Sequence, residues 1–599
     1  MRRIFALLLL VGCGGSGTFA MSADDNNPIA LSHAFSLERK PTVGKPMNDT
    51  GKPMAFMVAS GLPKRLIAWD LSASKTAWAV NADVTSRVAV GQSLVASREG
   101  KSEIVARGVR DGHKLWEHPL DKTQTFLGLA ADGNRVFYTA QDDTGKRKWV
   151  LVALENGREV WRAEAPGTLG APAARGGLVY MPFMTQWLTI LDAATGAQVA
   201  RIRQEDEALN FVRTTADGVY YGSKGVFLLD DKSVAGTKKG ATYASANLPD
   251  FVRTFYYFDA FKSVQAEYSA FDRNRVLWRA LAEGGGLQFQ DGLATVFTYR
   301  FFFGFDAATG DLKWAYHHPR FDVVSAEHVG PSIVYVSQEG ELGAIDPVSG
   351  AGFGVSKVGA RILGATFDAD GYRPEGDGQP VSTSDVLAQM VADKDSRFNS
   401  QKIFAITALG SLPGAQVVET LLKLLRDEGT APALYQKAGE ALVSRKNPEA
   451  LPRLIEALKV QNDYLSGSKT AGTDVIARAL GALGSVDAVP ALLAQIDAPE
   501  TPRPYLKDLA SALAACQGKA ALPTLRTQLV MYRADPQFAT DAAALGATID
   551  ALLALGGPAE RELLAYVAAE PRTAPKVAEY ARRVLEAKVP APAVPTVGK

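Results

Sequence analysis

Few side chains in this sequence are grouped in a way that would do chemistry. The chain has two thiols and six histidines in 599 residues. His317 and His318 are adjacent, and His328 follows shortly after. Three imidazoles so close would suit a transition metal, but neighbouring residues on a strand point to opposite faces. The pair therefore cannot chelate one ion without a bulge, and the spacing predicts a strand-end loop instead. Cys516 lies in an Ala/Leu-rich stretch with no His beside it, and a thiol in that setting serves as a small buried apolar residue. No Gly-rich phosphate loop follows a strand into a helix, no nucleophile elbow occurs, and no Cys/His cluster has zinc spacing. The catalytic, cofactor and metal sets predicted from sequence are accordingly empty.

Aromatic residues are more conspicuous. In Val296-Phe-Thr-Tyr-Arg-Phe-Phe-Phe-Gly-Phe305 the odd positions 297, 299, 301, 303 and 305 are all aromatic. On a single strand they would share one face. Phe255-Tyr-Tyr-Phe-Asp-Ala-Phe261 is a second such run. A run of this kind serves either a partner-binding patch or, more ordinarily, packing between sheets.

The elements that position these residues come from two repeats. Between Ala55 and Asp370 an apolar strand ends in Asp or Asn, a tight turn follows, and a Trp stands four positions after the turn's Gly. Gly112 to Trp116, Gly157 to Trp161 and Gly310 to Trp314 are full copies. The Trp-equivalent positions are 78, 116, 161, 200, 278, 314 and 354. Neighbouring positions are spaced alike except 200 and 278, which stand twice as far apart. That long gap holds one degenerate unit around Val226–Asp231, which brings the count to eight. Short β segments repeating about every forty residues predict a β-propeller with one four-stranded sheet per repeat. Gly gives the turn its backbone freedom, and the Trp offers a large apolar body with one N–H to the seam between sheets. Met54–Val58 and Ile362–Phe367 are expected to pair and remove free edges.

These residues resemble the tryptophan-docked repeat of pyrroloquinoline-quinone-dehydrogenase-like propellers. That superfamily includes eight-bladed quinoprotein dehydrogenases and BamB, the non-enzymatic lipoprotein of the outer-membrane β-barrel assembly machine. The resemblance implies an eight-bladed fold over residues 54–372. A quinone enzyme of this kind would also carry adjacent cysteines, acidic and amide ligands for calcium, and a catalytic Asp. The chain has no adjacent Cys pair, and Asp259, Glu267 and Asn274 fall in no recognisable arrangement.

After residue 376 the pattern becomes helical. Residues 373–395 read as a linker with a helix starting near Ser382 and Thr383. From 396 to 587, Ala/Leu-rich helices alternate with helices that open at near-equal intervals, at Ala415, Ala450, Ala488, Ala521 and Ala559. Such pairs build a solenoid and resemble HEAT repeats. Pro452, Pro490 and Pro523 stand in the first turn of the second helix, where a missing N–H costs nothing. Residues 588–599 form a Pro-rich tail.

At the other end, residues 1–12 have a basic start and an apolar core of about nine residues, an export signal too short to span a bilayer. Leu10-Val11-Gly12-Cys13 resembles the bacterial lipobox, which implies cleavage before Cys13 and its acylation. The alternative is cleavage after Ala20, which discards Cys13. Several acyl chains anchor stably where one does not, and Gly14 rather than Asp after the Cys resembles an outer-membrane address. Residues 13–53 read as a flexible tether with a reach of roughly 35 Å.

Lys plus Arg number 65 against 64 acidic residues, so no bulk charge draws the chain to nucleic acid. The sequence predicts a lipid-anchored outer-membrane scaffold that binds envelope proteins, a barrel assembly complex by resemblance to BamB. The alternatives are a propeller that binds a small ligand or polysaccharide in its channel, and a quinone-dependent dehydrogenase.

Overall fold

The computed structural model describes residues 17–18, 45–142, 148–165, 167, 169–183, 187–203, 211–214, 219–222, 226–228, 242–243, 286–290, 292–427, 429–459, 472–499, 501–540 and 542–587. The chain divides into two compact units, Met1–Thr383 and Ser384–Lys599.

The first unit is strand-rich and resembles a propeller. Seven sheets lie among the described residues. Sheet I takes its innermost strand from the end of the unit: Ile362–Asp368 pairs antiparallel with Met54–Ala59, followed by Arg65–Asp70 and Lys75–Asn81. The register sets Met54 opposite Asp368 and Ala59 opposite Ile362. Sheet II runs Ala89–Val90, Leu94–Glu99, Glu103–Gly108 and Lys114–Pro119. Sheet III runs Gln124–Asp132, Arg135–Asp142, Lys148–Glu155 and Arg158–Ala165. Sheet IV holds Ala173–Arg175, Leu178–Phe183, Trp187–Asp192 and Gln198–Arg203. Sheet V holds Phe211–Thr214, Val219–Gly222, Val226–Leu228 and Thr242–Tyr243, at the place of the degenerate repeat. Sheet VI holds Gly286–Gln290, Leu293–Thr298, Phe301–Asp306 and Leu312–His317. Sheet VII holds Val323–His328, Ile333–Ser337, Glu341–Ile345 and Ser356–Lys357.

The innermost strands neighbour one another in the order VI, VII, I, II, III, IV, V, forming an arc. The repeat that carries Trp278, the eighth that the sequence predicts, falls in 244–285, outside the described residues. So do the aromatic run 255–261 and Asp259, Glu267 and Asn274.

Why the strands read as continuous apolar runs is clear from the seams. Met54–Ala59 is buried at every position. Its Phe56 and Val58 pack with Trp78 and Val95 towards sheet II, while Ala55 and Met57 pack with Val334, Val336 and Phe367 towards sheet VII. Clusters of the same kind fill the II/III, III/IV, IV/V and VI/VII seams.

The repeated turn locks each seam. Asp192, Asp306 and Asp346 each accept two backbone N–H bonds from the turn that follows. The turn glycine's N–H donates back four positions, as from Gly350 to Asp346 O at 2.8 Å. Trp78, Trp161 and Trp314 donate Nε1–H to Val109, Ala193 and Pro347 carbonyls in the next sheet, at 2.8, 3.2 and 2.8 Å. The turn glycine lies under that indole. Gly112 has φ 72°, and a Cβ there would stand 2.5 Å from the Trp78 ring. Both the left-handed backbone and the close approach exclude other residues.

One sequence expectation changes here. Residues 45–53, which the sequence places in the tether, are packed against the strand-rich unit. Asp368 accepts from Met47 N–H, Asn48 N–H and Asn48 Nδ2 at 2.7, 2.8 and 2.7 Å. Asp49 N–H donates to Gln92 O. Farther upstream, Gly17–Thr18 lies parallel to Arg158–Ala165 as a fifth strand on the outer edge of sheet III. Polar composition suggests a free segment; backbone donors meeting a buried carboxylate hold it instead.

The second unit is helical: α1 Thr383–Ala392, α2 Asn399–Ser411, α3 Ala415–Arg426, α4 Pro432–Arg445, α5 Leu451–Lys459, α6 Thr473–Leu483, α7 Val489–Asp497, α8 Leu506–Ala515, α9 Leu522–Tyr532, α10 Pro536–Thr540, α11 Ala543–Leu555, α12 Pro558–Ala569 and α13 Pro575–Ala587. Helices α2, α4, α6, α8 and α11 pack side by side in one row. Small residues permit the approach: a Cβ at Gly481 of α6 would lie 3.0 Å from Ala512 Cα of α8. Each is followed by a partner helix, α3, α5, α7, α9 or α12, and Pro490 and Pro523 sit in the first turns of α7 and α9. Among the described residues no helix is long and apolar enough to cross a membrane.

Candidate functional site

Among the described residues of the strand-rich unit, three places gather polar or aromatic groups. The first lies inside the arc. Arg175 ends the innermost strand of sheet IV, and Asp370 follows the innermost strand of sheet I. The two form an ion pair with side chains only 9% and 14% exposed. Sheets II and III separate them along the arc, so the pair reaches across its inner side. Close by in the chain, Asp368 is buried, and desolvation pushes its carboxyl above the usual range against the opposing pull of the Met47 and Asn48 donors.

The second is the histidine cluster. His317 ends the outermost strand of sheet VI and stacks on Phe301 at 6.0 Å. His318 points the other way and is fully buried. Its Nδ1 accepts from the Phe321 N–H at 3.0 Å, which leaves the proton of a neutral ring on Nε2. That atom stands 3.0 Å from Glu341 Oε2, at an angle poor for a hydrogen bond. Lys357 Nζ lies 3.5 Å from the other carboxylate oxygen. Burial lowers the His318 pKa, and the Glu341 charge opposes the shift. His328 is a separate buried residue whose Nε2 faces Gly330 O at 3.0 Å. The three histidines therefore do not converge, and no His/Cys/Asp/Glu group among the described residues is arranged to hold a metal.

The third is the aromatic run, where the structure corrects the single-strand expectation. Tyr299 adopts φ 53°, and the chain reverses between Leu293–Thr298 and Phe301–Asp306. Phe297 pairs with Phe302, and Val296 with Phe303. The odd positions are therefore split between two strands. Phe302 packs against Tyr335 at 5.1 Å in the VI/VII seam, where Tyr316 and Tyr335 share a 3.0 Å hydroxyl contact. Phe301, Phe302, Phe303 and Phe305 are all buried. The run is core packing. What sequence reasoning lacked was a turn signal, because neither Gly nor Asn marks position 299.

In the helical unit Cys516 caps α8, with 1% exposure and Sγ 3.5 Å from Leu480 O. Burial pushes its thiol up to about 11, in keeping with a buried apolar role. Between α9 and α12 a surface groove of about 470 Å³ is lined by Arg526, Thr527, Val530, Met531, Ala559 and Leu563. Arg526 is tied there to the buried Glu560. Cys13 lies outside the described residues.

Residues 64–216 and 100–246 match the family model described as "Outer membrane protein assembly factor BamB". Residues 384–467 match the model of HEAT repeats, and 475–497 that of the PBS lyase HEAT-like repeat. No curated protein matches the sequence. Solved structures with similarity include BamB from Moraxella catarrhalis, 14% identical over 51% of this chain and 83% of that one, TM-score 0.30. The Cps50 (Swd1) β-propeller domain of Myceliophteria thermophila is 14% identical over 50% and 94%, TM-score 0.32. A europium-containing methanol dehydrogenase is 14% identical over 54% and 80%, TM-score 0.32. Residues 64–246 thus resemble BamB-type, pyrroloquinoline-quinone-like repeats, and the helical region carries stretches that match HEAT repeats.

Proposed function

We propose that this protein is a lipid-anchored scaffold of the cell envelope that binds other proteins, and that its partner is an outer-membrane β-barrel assembly complex. The observation that carries the reading is the match of residues 64–246 to the assembly-factor family model. Its partner-binding character is supported by the build of the chain. Stacked sheets and stacked helix pairs present broad, stiff surfaces suited to large partners. The export signal and the Leu10–Cys13 lipobox supply the membrane anchor, through acylation of Cys13.

The protein acts by binding and not by catalysis on this reading. The buried histidines and acids hold backbone: His318 accepts the Phe321 N–H, and Asp368 holds the segment at 47–48. A ligand in the channel is disfavoured by the Arg175–Asp370 pair, which occupies the inner side of the arc.

Deletion of the gene tests the function in the cell. The amount of folded β-barrel protein in the outer membrane is expected to fall, and wild-type protein should restore it. Cys13→Ala protein should restore less, because it loses its anchor. Unchanged barrel content in the deletion strain would remove the assembly role.

A further inference from the structure

The tether is attached to the strand-rich unit much closer to Cys13 than its length requires. Gly17 pairs with Ala163, and Thr18 with Glu164, in parallel register on the outer edge of sheet III. Only positions 14–16 separate Gly17 from Cys13. Four Cα–Cα steps span at most about 15 Å. A tether free to residue 53 would reach roughly 35 Å and leave every side of the unit equally near the lipid.

We propose that the outer edge of sheet III is the side of the strand-rich unit that faces the lipid surface. The inference rests on acylation of Cys13 as proposed above. Parallel pairing also gives the direction of approach. The strand Arg158–Ala165 runs away from the Asn156–Gly157 turn, and Gly17–Thr18 runs with it. The chain therefore enters Gly17 from the end of the sheet that carries that turn. The edge carries little net charge: Lys148 pairs with Glu164 at 3.0 Å and Arg162 with Glu159 at 2.7 Å, beside exposed Arg158. The seat on the membrane comes from the chain and not from charge, so salt should leave it in place.

The test uses full-length acylated protein in phosphatidylethanolamine/phosphatidylglycerol vesicles that carry headgroup spin labels. A fluorophore is placed at Arg158→Cys on sheet III or at Lys313→Cys on sheet VI, four sheets away along the arc. Both positions are exposed, and buried Cys516 does not compete for the label. Quenching at position 158 should exceed that at 313 several-fold and persist in high salt. Equal quenching at the two sites, or a difference that salt abolishes, overturns the proposal. Pro at positions 17 and 18 removes the ladder N–H groups and should equalise the two sites; a difference that survives also overturns it. The pairing is read independently as a disulfide between Thr18→Cys and Glu164→Cys, and its absence under oxidation overturns the proposal. The intact mass separates the two readings. Unacylated Cys13 ends the lipoprotein reading and this inference with it, whereas acylated protein with equal quenching ends only this inference.

Discussion

Trp314 concentrates in one side chain what holds a seam: it is 2% exposed and donates to Pro347 O. Trp314→Ala should cost about 4 kcal/mol by urea unfolding, in the range for large-to-small core changes. Trp314→Phe, which keeps most of the ring but leaves the carbonyl unpaired, should cost about 1–2 kcal/mol. A loss under about 1 kcal/mol for the Ala variant would show that the seam does not depend on the docked indole. Cys516, with its thiol raised to about 11 and 1% exposure, should not react with a disulfide reagent at pH 8 until the helical unit unfolds; fast labelling of native protein would contradict its burial. His318 should give a pH dependence. Its pKa is lowered in the folded state, chiefly by burial, so its contribution is present above the ordinary value of about 6.5 and is lost as pH falls below it. Wild-type unfolding midpoints should therefore drop more steeply from pH 7 to 5 than those of His318→Asn. Parallel slopes would mean that the ring does not titrate with folding. The Trp positions are legible in the sequence because a regular period repeats them. Glu341 beside His318 and Asp370 beside Arg175 are not, since each pair joins different sheets and no local pattern links its members.

At the scale of elements, the turn between the last two strands of a sheet couples backbone to packing. Gly350 has φ 73°, and a Cβ there would meet Trp314 Cβ at 2.7 Å. Gly350→Ala should cost at least about 2 kcal/mol, since a left-handed residue alone costs roughly 1–2 kcal/mol and the clash adds to it. Stability within about 0.5 kcal/mol of wild type would show that the turn relaxes freely. Helix pairs are readable from Ala/Leu spacing and first-turn prolines, and the structure has them in that order. The aromatic run misleads because period-two alternation continues across a reversal at Tyr299, a residue that rarely adopts positive φ. The packed segment at 45–53 misleads for the opposite reason. Its polar composition shows no period, and what holds it is the Asp368 carboxylate, at the far end of the same unit in sequence.

For the whole molecule, two repeat architectures are visible in the sequence because repetition shows without knowledge of any contact. The side of the first unit proposed to face lipid is not visible there, since it rests on one short pairing at Gly17–Thr18. The proposed role of the chain is to scaffold outer-membrane barrel assembly. In-cell crosslinking of the native protein, followed by affinity isolation and mass spectrometry, tests it most directly. Reproducible recovery of an outer-membrane barrel insertase, linked through residues of the strand-rich unit, is expected. Recovery of a different envelope complex, or of no partner, would contradict that role.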